Sequence, residues 1–256
     1  PLLCRTARKH GCIVVGTPHG NHEFDKYNLG SLIGDIFDYS FVFGKREVEN
    51  LIDKDRQDKL LAGGIPSNDR LKDIVKRPEY ILVVTSYVEG FNARKKNPNG
   101  YAPFNERSFL KSGILDLQKK YGVKTIIKEK SRFKEGLKFS LKGLEKYPGV
   151  SVIMDHPDND ELIAGAFCLV SAPSTMCFKA IQLGIPTVLL EGFGMTGNFH
   201  DFDGLVTLNK GQIAQALERQ RDRGKQDDFI TETLSGGLDF TATQIYLDNI
   251  ARILNG

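Results

Sequence analysis

The chain has 256 residues, enough to bury a sizeable core, and that length suits two small α/β lobes better than one unit. Its 35 basic and 32 acidic residues nearly cancel to a formal charge of +3, so bulk charge argues against a nucleic-acid partner. No apolar run approaches the ~20 residues that span a bilayer and no secretory leader is visible. That points to a cytoplasmic protein and leaves peripheral attachment at the inner membrane face open. Cys4, Cys12, Cys168 and Cys177 lack metal-ligand spacing and are expected to be reduced, with Cys12 and Cys168 as small core residues of apolar strands.

In chain order, a short basic segment follows Pro1 and leads at once towards a strand, so a preceding portion is expected and the first lobe reads as incomplete. Cys12–Val15 is the first buried-strand candidate and runs into Gly16-Thr17-Pro18-His19-Gly20. Residues 21–35 show little periodicity and read as loop. Tyr39–Phe43 is a second strand closed by Gly44, Glu47–Ile52 a helix, and Leu60–Ala62 a third strand entering Gly63-Gly64-Ile65-Pro66-Ser67-Asn68-Asp69. The polar stretch ending at Pro78 marks a boundary, giving lobes at 1–77 and 78–256. Beyond it, strands near 80–85, 123–128, 150–154, 167–171, 187–190 and 205–207 alternate with helices near 105–121, 134–146, 159–164, 174–183, 210–222 and 239–254. The Asn/Gly/Lys-rich stretch 89–103 reads either as a flap or as an insertion. The alternation predicts a mostly parallel sheet with helices on both faces. Such sheets bind ligands at the carboxyl ends of their strands, near the point where strand order reverses.

The most informative stretch is Phe167–Glu191, FCLVSAPSTMCFKAIQLGIPTVLLE. It reads as strand, Ser/Thr turn, helix, Gly-x-Pro and strand, a βαβ unit whose helix start (Ser171, Ser174, Thr175) offers hydroxyls and free backbone N–H groups to a phosphate or diphosphate. Thr85 and Ser86 close the first strand of the second lobe, where hydroxyls donate to a phosphate or simply terminate the strand. Lys128, Lys130 and Arg132 straddle the next strand end, either as a cationic cluster for a diphosphate or as a solvated loop. His19, between Pro18 and Gly20 at a strand end, has the pKa range of a general base for an acceptor hydroxyl. Gly63 and Gly64 permit close backbone approach, and Asn68 and Asp69 are suited to capping the next helix. Gly194–Asp203 carries Gly194, His200 and Asp201 past another strand end, with Phe199 and Phe202 either stacking on a ring or packing in the core. His156 with Asp155 and Asp158 reads as a turn and helix cap, because one His and two adjacent Asp cannot surround an ion. No Walker A, dinucleotide-fold or nucleophile-elbow motif is present.

Taken in order, these motifs resemble the GT-B glycosyltransferase superfamily, and within it the CDP-glycerol glycerophosphotransferase and surface-polysaccharide group. The resemblance rests on His19-Gly20 after a strand, DYSFVFG at 38–44, Gly64-Ile-Pro-Ser-Asn-Asp69, and the Ser171–Pro186 turn, helix and Gly-x-Pro. It implies two Rossmann-like lobes, with His19 as catalytic base and Ser174 and Thr175 gripping the donor phosphates. Gly20, Gly63, Gly64, Asn68, Asp69, Gly194, His200 and Asp201 would then line the cleft or hinge. It further implies transfer of a glycosyl or polyol-phosphate group from a CDP- or UDP-linked donor to a hydroxyl acceptor, with no metal or cofactor required. Two positions depart from the family pattern. KEKSRF at 128–133 stands where a basic residue and His-Pro are usual, and Lys179 replaces an acidic residue on the helix after the Ser/Thr turn. A UDP-N-acetylglucosamine 2-epimerase-like isomerase and an inactive nucleotide-sugar-binding module are the alternative readings.

Overall fold

In the computed structural model, the described residues are 2–18, 36–50, 54–84, 113–128, 146–154, 156–171, 174–190, 199, 201–207 and 212–255. Strands and helices group into two compact units, residues 1–72 with 227–256, and residues 73–226. The division falls near the expected boundary, but the last thirty or so residues join the first unit. Residues 227–256, read from the sequence as part of a second lobe at 78–256, group with residues 1–72.

The first unit holds α1 (Leu2–Lys9) and a parallel sheet of β1 (Val15–Gly16), β2 (Tyr39–Val42) and β3 (Leu60–Ala62), in the order β1-β2-β3. β1 starts later than the sequence predicts. Only Val15 and Gly16 pair with β2, while the Val14 N–H is held by the Asp38 carboxylate at 2.8 Å. Cys12 is therefore exposed rather than a core residue, and Ile13 is 46% exposed. α2 (Lys45–Asn50) follows β2, and its buried Glu47 accepts the Phe43 N–H at 2.5 Å.

The second unit is built on β4 (Tyr80–Val84), β5 (Lys124–Lys128), β6 (Val150–Ile153), β7 (Ala166–Ser171), β8 (Thr187–Leu190) and β9 (Val206–Thr207). All pairings are parallel and the order is β6-β5-β4-β7-β8-β9, the doubly wound arrangement of Rossmann-type sheets. Alternation along the strands sends Ile81, Val83, Ile127, Cys168, Val170, Val188 and Leu190 to one face. There they pack with Ile114, with Leu117 of α3 (Leu115–Tyr121) and with Ile213 and Leu217 of α6 (Ile213–Arg219). Leu82, Leu169 and Leu189 face the other way, towards α4 (Asn159–Ala164) and α5 (Met176–Gln182). The expected α/β architecture of two parallel-sheet units, the second with helices on both faces, is thus observed.

Among the described residues, one buried hydroxyl makes no hydrogen bond. Thr125 of β5 is fully buried and its Oγ1 has no partner. Thr125→Val keeps the shape and removes the desolvated hydroxyl, so urea denaturation is expected to show a gain of about 1 kcal/mol.

α7 (Arg223–Thr233), absent from the sequence reading, and α8 (Ala242–Asn255) complete the described helices. From Asp227 onward this segment packs on the first unit. Tyr246 stacks on Phe41 with centroids 3.8 Å apart, the Ser235 N–H donates to the Phe43 carbonyl at 2.9 Å, and Arg46 pairs with Glu232 at 3.3 Å. No described helix is long and apolar enough to cross a membrane.

Candidate functional site

Strand order in the second unit reverses at β4. The chain places β5 and β6 on one side of it and β7, β8 and β9 on the other. Connections on the two sides leave in opposite directions, which opens a crevice at the carboxyl ends of β4 and β7. Val84 ends β4, and in register it lies between Lys128 of β5 and Ser171 of β7. Residues on one rung of a parallel sheet project to the same face, so Lys128 and Ser171 flank Val84 on the face that carries α4 and α5.

Ser171 is fully buried, and its hydroxyl contacts the Cys177 thiol in α5. It fixes the helix to the strand end from behind. Ser174 is half-buried and its Oγ accepts the Met176 N–H at 3.3 Å, while its carbonyl accepts the Cys177 N–H at 3.0 Å. Thr175 is exposed at the helix start, and its side chain makes no capping bond. The far end of α5 is tied down by two cations. Lys76 Nζ donates to the Leu183 carbonyl at 2.7 Å and Arg223 Nη1 to the Ile181 carbonyl at 3.0 Å, where positive charge favours a helix C-terminus.

Lys179 is not an isolated cation. Its Nζ lies 2.5 Å from Oδ1 of Asp160 on α4, whose side chain is 1% exposed against 19% for the lysine. Asp158 caps the same α4, its Oδ1 accepting the Asp160 N–H at 2.7 Å and the Glu161 N–H at 3.3 Å. The Asp158 N–H in turn donates to His156 Nδ1 at 3.2 Å, so the His156 segment is a turn and helix cap. Sequence reasoning did not find Asp160, because a contact nineteen residues away leaves no periodic signal.

The remaining predicted residues divide three ways. His19, Gly20, Thr85, Ser86, Lys130, Arg132, Gly194 and His200 lie outside the described residues. Asp201 is exposed, while Phe199 is fully buried edge-on to Phe178 at 6.4 Å, a core residue. Gly63, Gly64 and Asp69 pack against the C-terminal segment of their own unit, and Asn68 is buried there. A Cβ on Gly63 would sit 2.4 Å from the Tyr246 ring. Asp69 does cap a helix, though not the next one. Its carboxylate accepts the N–H groups of Ala242 at 3.0 Å and Thr243 at 2.7 Å, at the start of α8. Among the described residues no group of three or more His, Cys, Asp or Glu is placed to hold a metal ion.

Burial sets the reactivity of the thiols. Desolvation pushes Cys168 up to about 12 and Cys177 up to about 11, the latter despite the Ser171 hydroxyl beside it. At pH 8 a thiol reagent is therefore expected to label exposed Cys12 rapidly in the folded protein. Cys168 and Cys177 should react only on unfolding, counted by absorbance or intact mass.

No protein-family model and no curated protein matches this sequence. Its backbone is similar to several solved structures. MnaA of S. aureus, solved with UDP, is 14% identical with a TM-score of 0.66, over 98% of this chain and 72% of that one. UDP-GlcNAc 2-epimerase from Neisseria meningitidis, bound to UDP-GlcNAc, is 16% identical with a TM-score of 0.59, over 97% and 72%. The wall teichoic acid polymerase TagF is 14% identical with a TM-score of 0.54, over 94% and 69%. These likenesses establish a shared fold of the GT-B kind.

Proposed function

We propose that the chain is a nucleotide-sugar-type GT-B enzyme that transfers a glycosyl or polyol-phosphate group from a CDP- or UDP-linked donor to a hydroxyl acceptor, in surface-polysaccharide synthesis. The observation that carries this reading is the reversal of strand order at β4, which brings the Ser174–Thr175 turn and Lys128 to the end of the sheet where such folds hold ligands. Ser174 and Thr175 hold the donor phosphates, and Lys128 offsets charge on the leaving group. His19, assigned from the sequence pattern, takes the proton of the acceptor hydroxyl. The acceptor oxygen then bonds to the transferred carbon or phosphorus as the bond from that centre to the diphosphate oxygen breaks. A nucleoside diphosphate leaves in glycosyl transfer, a nucleoside monophosphate in polyol-phosphate transfer. No metal or cofactor is invoked.

A UDP-N-acetylglucosamine 2-epimerase reading is favoured by the UDP-GlcNAc bound to a protein of the same fold. Calorimetry with CDP-glycerol and UDP-GlcNAc, followed by product analysis, separates the two. Nucleotide release that depends on an acceptor supports transfer, and inversion at C2 without transfer supports epimerisation. Binding with neither supports an inactive module. For a transferase, His19→Ala is expected to lower kcat at least a hundredfold, and Ser174→Ala to weaken donor binding about tenfold. Unchanged turnover in His19→Ala removes the base assignment.

A further inference from the structure

We propose that the turn at residues 236–241 holds a neutral sugar against the ring of Phe240, a binding subsite on the first unit. Phe240 has a φ of +53° and is the one non-glycine residue with positive φ among the described residues. A Cβ makes this left-handed conformation costly, most of all under a bulky side chain. The same turn fills its other left-handed position with Gly236, φ +67°, which bears no such cost. The conformation is imposed from both sides. The Thr241 N–H donates to the Gly236 carbonyl at 3.0 Å, and Asp69 holds the N–H groups of Ala242 and Thr243. Residues kept in such strain where glycine would fit cluster at ligand-binding sites.

Position and chemistry define what the ring takes. The Ser235 N–H donates to the Phe43 carbonyl at 2.9 Å, just past β2. Ser235 and Ala242, which bracket the turn, both abut Gly64, just past β3. The turn therefore lies at the carboxyl edge of its sheet, the edge at which parallel α/β sheets bind ligands. At its tip Leu238 is 42% exposed, Asp239 is exposed and Phe240 is half-buried. Asp239 forms no ion pair among the described residues. An aromatic ring beside an ionised carboxylate suits a pyranose. The apolar C–H face of the sugar lies on the ring, and its hydroxyls donate to the acid. The same carboxylate repels phosphate, so the turn favours a glycosyl unit over a polyol phosphate. That the sugar belongs to the acceptor rests on the transfer reading above; the binding itself does not.

Chemical-shift titration of the 256-residue chain tests this without donor or turnover. The probes are the methyl glycosides of glucose, galactose and N-acetylglucosamine, with sn-glycerol 3-phosphate beside them. At least one glycoside is expected to bind and to shift the Phe240 ring resonances, and glycerol phosphate to leave them in place. Phe240→Gly should weaken that glycoside about tenfold without lowering the melting temperature, because the strain goes with the ring. Phe240→Tyr keeps the platform and should bind within about twofold, while Asp239→Asn should lose about fivefold. A wild-type chain that binds none of the glycosides overturns the proposal. So does a Phe240→Gly variant that binds as well as wild type, or one that melts several degrees lower, which makes the ring a packing residue. Glycoside binding without acceptor-dependent nucleotide release leaves the subsite standing and removes the transfer reading alone.

Discussion

Lys179→Ala is expected to cost about 3–5 kcal/mol of stability, because it strips the ammonium from a carboxylate that has no access to water. The asymmetry of the pair makes the experiment informative, since Asp160 is 1% exposed and Lys179 19%. Removing the acid instead leaves a cation on a flexible stem that can turn towards solvent, so Asp160→Ala should cost only about 1–2 kcal/mol. Replacing both by apolar residues of similar volume, Asp160→Leu with Lys179→Met, is expected to restore most of the loss. Urea denaturation followed by circular dichroism ranks the three. If the two single variants cost the same, the pair is more solvated than its burial states. The stable double variant also answers a functional question. Donor affinity that is unchanged in it shows that Lys179 serves α4–α5 packing. A fall in affinity that the double variant shares with Lys179→Ala shows that the ammonium also reaches the ligand.

Gly64→Ala should destabilise the first unit by about 2–4 kcal/mol. Gly64 holds φ at +76°, and a Cβ there would lie 2.0 Å from the Ser235 carbonyl oxygen and 2.9 Å from the Ala242 side chain. The cost combines left-handed strain of about 1 kcal/mol with overpacking of a further 1–3 kcal/mol against backbone that cannot move aside cheaply. Gly11 supplies the control. Its φ is +75°, yet nothing lies within 4 Å of its Cβ position, so Gly11→Ala should cost about 1 kcal/mol, the conformational strain alone. Thermal unfolding of both variants separates backbone strain from the clash. Equal losses would mean that residues 235–242 withdraw to make room.

These expectations show where sequence reading reaches its limit. β4, β7 and β8 were legible because each is a short, almost wholly apolar run between turn signals, the signature of strands covered on both faces. The position of the Ser171–Thr175 turn at a carboxyl strand end followed from the same alternation. β1 was misplaced because hydrophobicity marks the run Cys12–Val15, whereas pairing depends on a partner strand that starts only at Tyr39. α7 was missed because two of the four positions it buries at helical spacing, Gln226 and Thr233, are polar, which leaves only Phe229 and Ile230 as an apolar signal. Asp69 was legible as a helix cap, but its helix begins 173 residues away, and nothing local to either end announces that contact. Lys179 stood out by its type. Its pairing with Asp160 became visible only once two helices were laid on one sheet face.

The return of residues 227–256 to the first unit also bears on synthesis. Residues 73–226 are contiguous and can close their sheet as soon as they have left the ribosome. The earlier residues cannot do the same. β2 and β3 are made before residues 73–226, but Phe41 meets Tyr246, and Gly44, Gly63 and Gly64 meet Thr233, Ser235 and Tyr246, only once residues 227–256 have been made. Until then the parallel sheet of the first unit is unfinished, waiting on residues 227–256. A stop codon within residues 227–256 would leave the second unit able to fold while the first lacked its cover, a better target for chaperones and proteases than a single side-chain change in the second.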